Sequence, residues 1–291
     1  MPPKLFDTHT HFNFNAFKDD WEETIERTLK ENVWFVNVGA EAKTSRRAVD
    51  IAQKYPAGVY AAVGLHPIHT FDYAYKDTSR LRQNPNRLRR ARAEEFNKKY
   101  YAQLAASSEK VVAIGETGLD YFHIKDFSSP QQKKLKNRQK EAFAAQIELA
   151  AELNKPIIIH CRHLKNYDAY KDVLNILESN KNKLSKTSDV AHFFAADQKL
   201  AKKFLDLGFM LGFNGVITFT ENYDEVVKFV PLDKIVLETD APWLTPVPYR
   251  GKRNESIYVR EVARKIAEIK KVDFEEATEV TTNNALEVFN I

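Results

Sequence analysis

Cysteine is almost absent from this chain of 291 residues, since Cys161 is the only one. A single thiol excludes an intramolecular disulfide and a cluster of thiolate zinc ligands. If the protein binds a metal ion, histidine and carboxylate side chains must therefore hold it.

Long apolar runs are missing as well, and no segment approaches the apolar length that spans a bilayer. The first residues, MPPKLFDTHTHF, lack the basic start and continuous apolar stretch of a secretory signal. We therefore expect a cytoplasmic or otherwise intracellular protein with no membrane partner. No feature indicates an obligate protein partner.

The chain also lacks an internal repeat and a Gly/Ser-rich or Pro-rich linker, which favours a single domain over residues 1–291. Its 43% apolar content, with 12% aromatic residues, is enough to fill a core and excludes a disordered chain. The formal net charge of +4 permits a polyanionic partner without requiring one. The basic residues crowd two stretches, residues 80–99 and 133–140.

Eight short apolar segments alternate with longer segments of helical spacing, which is typical of βα units and a parallel sheet. Runs such as VVAIG, PIIIH and KIVLE are apolar on successive residues, as expected for strands buried on both faces. The predicted strands are 4–7, 33–38, 59–64, 111–115, 156–160, 189–192, 209–213 and 234–238. The predicted helices are 20–31, 45–54, 138–153, 167–179, 197–207, 223–230, 256–270 and 274–289.

This pattern predicts an α/β fold that is a single (β/α)8 TIM barrel. Residues 71–109 are too long for an ordinary connection, so we expect a basic insertion or an elongated helix there.

Potential metal ligands follow the predicted strands at the ends that converge on one face of such a barrel. They are His9, His11, Glu116, His160, His192 and Asp240. The two histidines of the His-Thr-His motif project to the same side of an extended segment and can reach one ion. Glycines flank Glu116, so we expect a sharp backbone turn that brings its carboxylate inward, where it can bridge two cations.

Asp240 is expected to bind one ion and to accept a proton from the attacking water, with Glu238 as the alternative ligand. Two divalent cations suit phosphoryl chemistry, because one activates water while the pair neutralises charge on the transition state. The residues do not select among Zn²⁺, Mn²⁺ and Mg²⁺.

The chain resembles the TatD family of metal-dependent deoxyribonucleases, within the amidohydrolase-like barrels. The matching segments span nearly the whole chain and are FDTHTHFN, AAVGLHP, IGETGLDY, IIIHCR, GFNGVITF, ETDAPWLTPVPYRGKRNES and TTNNALEVF. The resemblance implies that His9, His11, Glu116 and Asp240 surround one ion, and that Glu116, His160 and His192 serve the second.

The resemblance also implies that His66 contacts the substrate phosphate or the leaving group. The alternative role for His66 is to donate a hydrogen bond to neighbouring protein groups. Four cations at the mouth of the pocket are candidate phosphate clamps, namely Arg162, Arg250, Lys252 and Arg253, although basic loops are usually only solvated. Tyr121 and Trp243 are candidates for stacking on bases, or for packing the rim.

After His192 the family pattern His-Cys-Phe-Ser-Gly is replaced by His-Phe-Phe-Ala-Ala, which bears on the shape of the pocket and on the substrate. We expect a deoxyribonuclease, acting as an exonuclease on DNA through water activated by two metals. The first alternative is a related barrel hydrolase of amides, lactones or small phosphate esters, many of which bridge their metals with a carboxylated lysine instead of Glu116. The second is a non-catalytic nucleic-acid-binding protein.

Overall fold

A computed structural model describes residues 2–76, 88–164, 168–186 and 188–291 of the chain. The strands within these residues are β1 Leu5–Thr10, β2 Val33–Val38, β3 Val59–Val63, β4 Tyr73–Lys76, β5 Leu88–Ala91, β6 Val111–Asp120, β7 Ile157–Arg162, β8 Asp189–Ala191, β9 Phe209–Phe213 and β10 Ile235–Leu237. The α-helices within them are α1 Trp21–Lys30, α2 Ala42–Ala52, α3 Lys98–Ala106, α4 Ser129–Leu153, α5 Asp168–Ser179, α6 Gln198–Asp206, α7 Asp224–Phe229, α8 Val259–Lys270 and α9 Phe274–Phe289.

Eight of the strands form one parallel sheet in the order β1-β2-β3-β6-β7-β8-β9-β10. The last strand returns to the first, because the backbone N–H of Asp240 donates to His9 O at 2.9 Å and that of His11 donates to Ala241 O at 2.9 Å. The predicted (β/α)8 TIM barrel is confirmed.

The end of the barrel where the strands begin is filled by apolar side chains. Phe6 of β1 stacks on Phe289 of α9 with ring centroids 5.9 Å apart, and both belong to a buried cluster with Val36, Ile158 and Val236. Since apolar residues fill that end, a polar pocket in the barrel can open only at the opposite end, where the strands finish.

Two elements extend beyond their predicted limits. Helix α4 begins at Ser129 rather than at residue 138, because Ser128 and Gln131 form a capping box and Pro130 occupies the first turn. Strand β6 continues to Asp120 instead of turning after Gly115, with a register irregularity between Ile114 and Thr117. The chain therefore does not leave the sheet at Glu116 as the predicted turn implied, but the strand is irregular there, with a cis peptide bond between Gly115 and Glu116, and the carboxylate points inward as predicted.

The described part of the predicted insertion at residues 71–109 contains two paired strands and helix α3. Strands β4 and β5 pair antiparallel, so the expected elongated helix is wrong for residues 88–91. Residues 77–87, which include much of the arginine-rich stretch, lie outside the described residues. Helix α3 then leads into β6.

No helix among the described residues combines the length and the apolar character that a membrane crossing requires.

Candidate metal centre

The six predicted ligands meet where the barrel strands finish. Four groups of side chains among the described residues have ligand atoms within 4.8 Å of one another, and two of them consist only of predicted ligands: His9, His11 and Glu116 form the first, and Glu116, His160 and His192 form the second. Glu116 belongs to both groups, and its side chain is only 6% exposed. Each of its carboxylate oxygens faces a different group of histidines.

In the first group, two imidazole nitrogens face each other. His9 Nε2 and His11 Nε2 are 3.1 Å apart, and Glu116 Oε2 lies 3.5 Å from His9 Nε2. His11 Nδ1 lies 2.8 Å from the carbonyl oxygen of Val38, so it carries the proton and leaves a lone pair on Nε2. Two nitrogens each about 2.1 Å from one ion would be this far apart at an angle of roughly 95°. The donor set therefore fits a divalent cation.

In the second group, Glu116 Oε1 lies 2.8 Å from His160 Nδ1 and 3.8 Å from His192 Nε2. His192 Nδ1 donates to Glu238 Oε2 at 2.8 Å, which directs the lone pair of Nε2 toward Glu116. Glu238 was the alternative ligand to Asp240. Its other oxygen accepts from the backbone N–H of Phe193 at 2.8 Å, so Glu238 orients His192 instead.

The pocket carries the charge that cation ligands need. Burial alone raises the pKa of Glu116, but His66, His9 and the hydrogen bond with His160 outweigh burial and hold this pKa well below its usual range. Burial, together with the neighbouring His192, lowers the pKa of His9 to about 4. Glu116 is thus ionised and His9 neutral at neutral pH, the forms in which these side chains bind metal ions.

His9 has one unsatisfied nitrogen. Its Nδ1 is buried and has no hydrogen-bond partner among the described residues, while Nε2 faces His11 and Glu116. The ring stacks on that of His192 with centroids 3.5 Å apart. The stacking and the strand β1 hold the ring in place, so Nε2 stays directed at the other ligands.

Asp240 lies at the solvent side of the first group. Its Oδ1 is 3.5 Å from His11 Nε2, and its side chain is 15% exposed. Its backbone is left-handed, with a φ of 54°, a conformation that Asp tolerates better than most residues. The N–H of Trp243 donates to Asp240 O at 2.9 Å and stabilises this turn. Asp240 can therefore contact both an ion and a water molecule.

His66 is a hydrogen-bond donor in this pocket. Its Nδ1 accepts from the backbone N–H of Ile68 at 3.1 Å, so the proton of the neutral ring is on Nε2, 3.5 Å from Glu116 Oε1. Burial lowers the pKa of His66 well below its usual value, which keeps the ring neutral. A nitrogen that carries a proton is not a metal ligand, but it can donate to a substrate oxygen.

Two of the predicted substrate contacts are wrong. Tyr121 is completely buried and its hydroxyl donates to Asp172 at 2.6 Å, so no base can stack on it. Arg253 donates to both oxygens of Asp20, at 2.8 and 2.5 Å, and to the carbonyl of Ala16. Its guanidinium is thereby committed to contacts within the protein and does not form a phosphate clamp.

The other four predicted contacts have exposed side chains. Arg162 is exposed and lies over the ring of Phe122, 4.2 Å from its centroid. Arg250 donates to Thr245 O at 2.6 Å, and Lys252 is exposed on the same loop. Trp243 is 37% exposed and contacts His11 edge-on, with centroids 5.4 Å apart. Their role toward substrate remains a prediction.

Asp120 is a member of the site that the sequence reasoning missed. It is completely buried, and its Oδ2 lies 3.1 Å from His160 Nε2. The strand was expected to end at Gly115, which placed Asp120 outside the pocket. The signal in the sequence was Gly118, which lies between the acidic residues Glu116 and Asp120. The structure explains why a glycine is needed there: its φ is +134°, and a Cβ would lie 2.1 Å from the carbonyl oxygen of His160.

Comparisons with known proteins identify relatives of this chain. The family model described as TatD related DNase matches residues 6–290. The chain is 39% identical over 290 residues to YabD of Bacillus subtilis, described as an uncharacterized metal-dependent hydrolase, with 99% of each chain covered. It is 34% identical over 294 residues to YcfH of Escherichia coli, described in the same words, with 99% of this chain and 96% of that protein covered.

Among solved structures, the TatD homologue YJJV of Escherichia coli has 26% sequence identity and a TM-score of 0.79, with both chains covered completely. A TatD family hydrolase of Entamoeba histolytica has the same fold, at 18% identity and a TM-score of 0.75 over 99% of each chain. With the family model spanning almost the whole chain and two relatives above 30% identity, this protein belongs to the TatD family of metal-dependent hydrolases.

Proposed function

We propose that this hydrolase is a deoxyribonuclease that cleaves phosphodiester bonds of DNA as an exonuclease. The observation that carries the proposal is Glu116, whose two oxygens face two separate groups of histidines. A shared carboxylate of this kind is suited to two divalent cations a few ångströms apart. When bound, such a pair polarises a phosphate and lowers the pKa of water. The description of the matching family model, TatD related DNase, supports DNA as the substrate.

The side chains of the pocket have distinct roles in this proposal. Asp240, at the exposed side of the first group, accepts the proton of the attacking water. His66 donates a hydrogen bond from its Nε2–H to an oxygen of the phosphate, which carries growing negative charge during attack. Arg162, an exposed residue two positions after His160, contacts a neighbouring phosphate in this proposal.

The experiment is digestion of end-labelled DNA by protein stripped of metal and then reconstituted separately with Zn²⁺, Mn²⁺ or Mg²⁺. Linear single-stranded and double-stranded DNA should be shortened progressively from one end in at least one of these preparations, and covalently closed circular DNA should stay intact. Cleavage of the circle would refute the exonuclease assignment while leaving the nuclease assignment standing. No cleavage of any DNA by protein loaded with metal would overturn the proposal.

The first alternative is hydrolysis of an amide, lactone or small phosphate ester. A panel of these substrates, assayed with the same preparations, separates it from the nuclease. Faster turnover of a lactone or amide than of DNA would favour this alternative. The second alternative, a non-catalytic nucleic-acid-binding protein, requires DNA binding without cleavage in every preparation.

A further inference from the structure

The buried carboxylate of Asp120 connects a metal ligand to a neighbouring loop. Its Oδ2 lies 3.1 Å from His160 Nε2 and 2.7 Å from His123 Nδ1, and its Oδ1 accepts from the backbone N–H of His123 at 3.0 Å. Its own backbone is held by Gln139, which accepts from Asp120 N at 2.9 Å and donates to Asp120 O at 3.0 Å. Asp120 is therefore fixed in place and can act only as an acceptor.

We propose that Asp120 is a positioning residue of the metal centre, which keeps the proton of His160 on Nε2 so that Nδ1 binds an ion. The inference rests on the proposed two-metal site. Both nitrogens of His160 face a carboxylate oxygen, Nδ1 that of Glu116 at 2.8 Å and Nε2 that of Asp120 at 3.1 Å, and neither ionised carboxylate can donate a proton. An ion held at the second group would take the lone pair of Nδ1, and the one remaining proton of the ring would then lie on Nε2, where Asp120 accepts its hydrogen bond.

Asp120 matters because Glu116 is a second acceptor that competes for the proton of His160. His160 Nδ1 lies 2.8 Å from Glu116 Oε1, so without Asp120 the proton would move to Nδ1 and form a hydrogen bond with Glu116. That bond would occupy a ligand nitrogen and an oxygen of the bridging carboxylate at once. Both are needed by the second ion, so the loss of one carboxylate outside the ligand set would weaken that ion's binding.

The group formed by His66, Asp120 and His160 could instead be considered as a third metal site, since its ligand atoms also lie within 4.8 Å of one another. The hydrogen bonds argue against it. His66 Nε2 carries a proton because Nδ1 accepts from Ile68, and His160 Nε2 faces an acceptor at hydrogen-bond distance. These contacts are those of a hydrogen-bonded network around the ligands.

The test is Asp120→Asn in the full chain, loaded with Zn²⁺ and labelled with ¹⁵N at histidine. An asparagine has one oxygen, so its NH₂ group must face either His160 and His123 or the backbone N–H of His123. In the first orientation the NH₂ group donates to His160 Nε2, which forces the proton of His160 to Nδ1. In the second orientation the NH₂ group faces the backbone N–H of His123, so two donors oppose each other. We expect the imidazole spectrum of wild type to show His160 protonated at Nε2. We expect Asp120→Asn to bind the second Zn²⁺ about 10–100-fold more weakly by calorimetry.

His123→Ala is the matched control, because it removes the other partner of the same oxygen and leaves the bond between Asp120 and His160. Its His160 spectrum and Zn²⁺ affinities should match wild type. In a His160→Gln background, Asp120→Asn should cause no further loss of affinity, since the side chain through which it acts is gone. An equal loss in both backgrounds would mean that Asp120 acts on the fold, which would overturn the proposal.

The wild-type spectrum alone also decides the question if Asp120→Asn does not fold. A zinc-loaded wild type with His160 protonated at Nδ1 would refute the inference directly. These measurements do not use DNA, so they are independent of the proposed nuclease activity. Wild-type protein that binds zinc in this way but cleaves no DNA would refute the proposed function and leave the role of Asp120 intact.

Discussion

Glu116 and Asp240 are both carboxylates of the metal centre, but their surroundings differ. Glu116 is 6% exposed and faces both groups of histidines, whereas Asp240 is 15% exposed and lies beside His11. We predict that Glu116→Gln weakens the binding of both ions by about 100-fold or more, since an amide cannot bridge two cations with negative charge. Asp240→Asn should keep the ion at His160 and His192 and lower kcat by about 10²–10⁴-fold.

Metal content by mass spectrometry and kcat, measured on both variants, check this prediction. Equal loss of metal in the two variants would contradict the assignment of Glu116 as the bridging carboxylate and Asp240 as a ligand of one ion. The control is Glu141→Gln, an exposed carboxylate of α4, which should leave both quantities unchanged.

Arg253 and Lys252 are neighbours in sequence, but we expect their replacement to change the stability of the protein by different amounts. Arg253 joins the loop after β10 to Asp20 before α1 and also lies 3.3 Å from Glu255, whereas Lys252 is exposed. We predict that Arg253→Ala lowers the free energy of unfolding by about 2 kcal/mol, because it removes charged hydrogen bonds that are partly shielded from water. Lys252→Ala should change it by less than about 0.5 kcal/mol.

Urea denaturation measures the stabilities, and DNA titration measures affinity at a temperature where both variants are folded. The affinity of folded Arg253→Ala for DNA should equal that of wild type. A large loss of DNA affinity without loss of stability would restore Arg253 as a phosphate contact.

At the scale of elements, α4 holds the segment after β3 and the end of β6 through two buried glutamines. Gln146 accepts from the backbone N–H of Leu65 at 2.8 Å and donates to Leu65 O at 3.0 Å and to Thr117 Oγ1 at 2.6 Å. Gln139 makes the corresponding pair of bonds with the backbone of Asp120. One helix thus fixes the segments that carry His66 and Glu116.

We predict that Gln146→Ala lowers the free energy of unfolding by about 2–4 kcal/mol, because it leaves buried backbone groups of Leu65 without partners. It should also reduce activity, since Leu65 precedes His66. Glu141→Ala on the exposed side of the same helix is the control and should stay within about 0.5 kcal/mol of wild type. Chemical denaturation checks both, and an unchanged stability of Gln146→Ala would contradict the proposed anchoring.

The sequence predicts these elements well where the pattern is apolar and poorly where polar side chains determine the structure. Strands such as β2 and β9 are predominantly apolar, and their limits were predicted correctly. The extension of β6 to Asp120 depends on buried polar contacts with α4 and β7 that sequence spacing does not reveal. The start of α4 was missed because its first turns are rich in lysine, so only the capping residues Ser128 and Gln131 indicate it.

The same limit applies to the candidate site. The positions of the six ligands follow from strand ends in a barrel, which the apolar pattern predicts. The hydrogen-bond partners of those ligands cannot be predicted in this way. Nothing in the sequence distinguishes Asp120 and Glu238 from other carboxylates, because only the folded barrel brings a histidine beside each of them. Arg253 was assigned to substrate because nothing in the sequence relates it to Asp20, which lies 233 residues away.

At the scale of the whole molecule, the metal centre joins strands from both ends of the chain. Cations that bind only the folded state add to its stability, by about 2.7 kcal/mol for each site at a hundredfold excess over Kd. We therefore predict that chelation lowers the Tm by roughly 5–10 °C for a chain of this size, and that Zn²⁺ or Mn²⁺ restores it. Thermal denaturation of Glu116→Gln is the control, since its Tm should respond little to chelator. A wild-type Tm that chelator does not change would contradict occupied sites.

The bond between Asp240 N and His9 O closes the barrel between residues 231 positions apart. A ribosome makes β1 long before it adds the segment with Asp240, and until then β1 has no last strand to pair with. A nascent chain at that stage holds His9 and His11 without Asp240. Under the proposed mechanism it lacks the carboxylate that accepts a proton from water, so a fragment released early by abortive translation would carry the histidine motif but no hydrolytic activity.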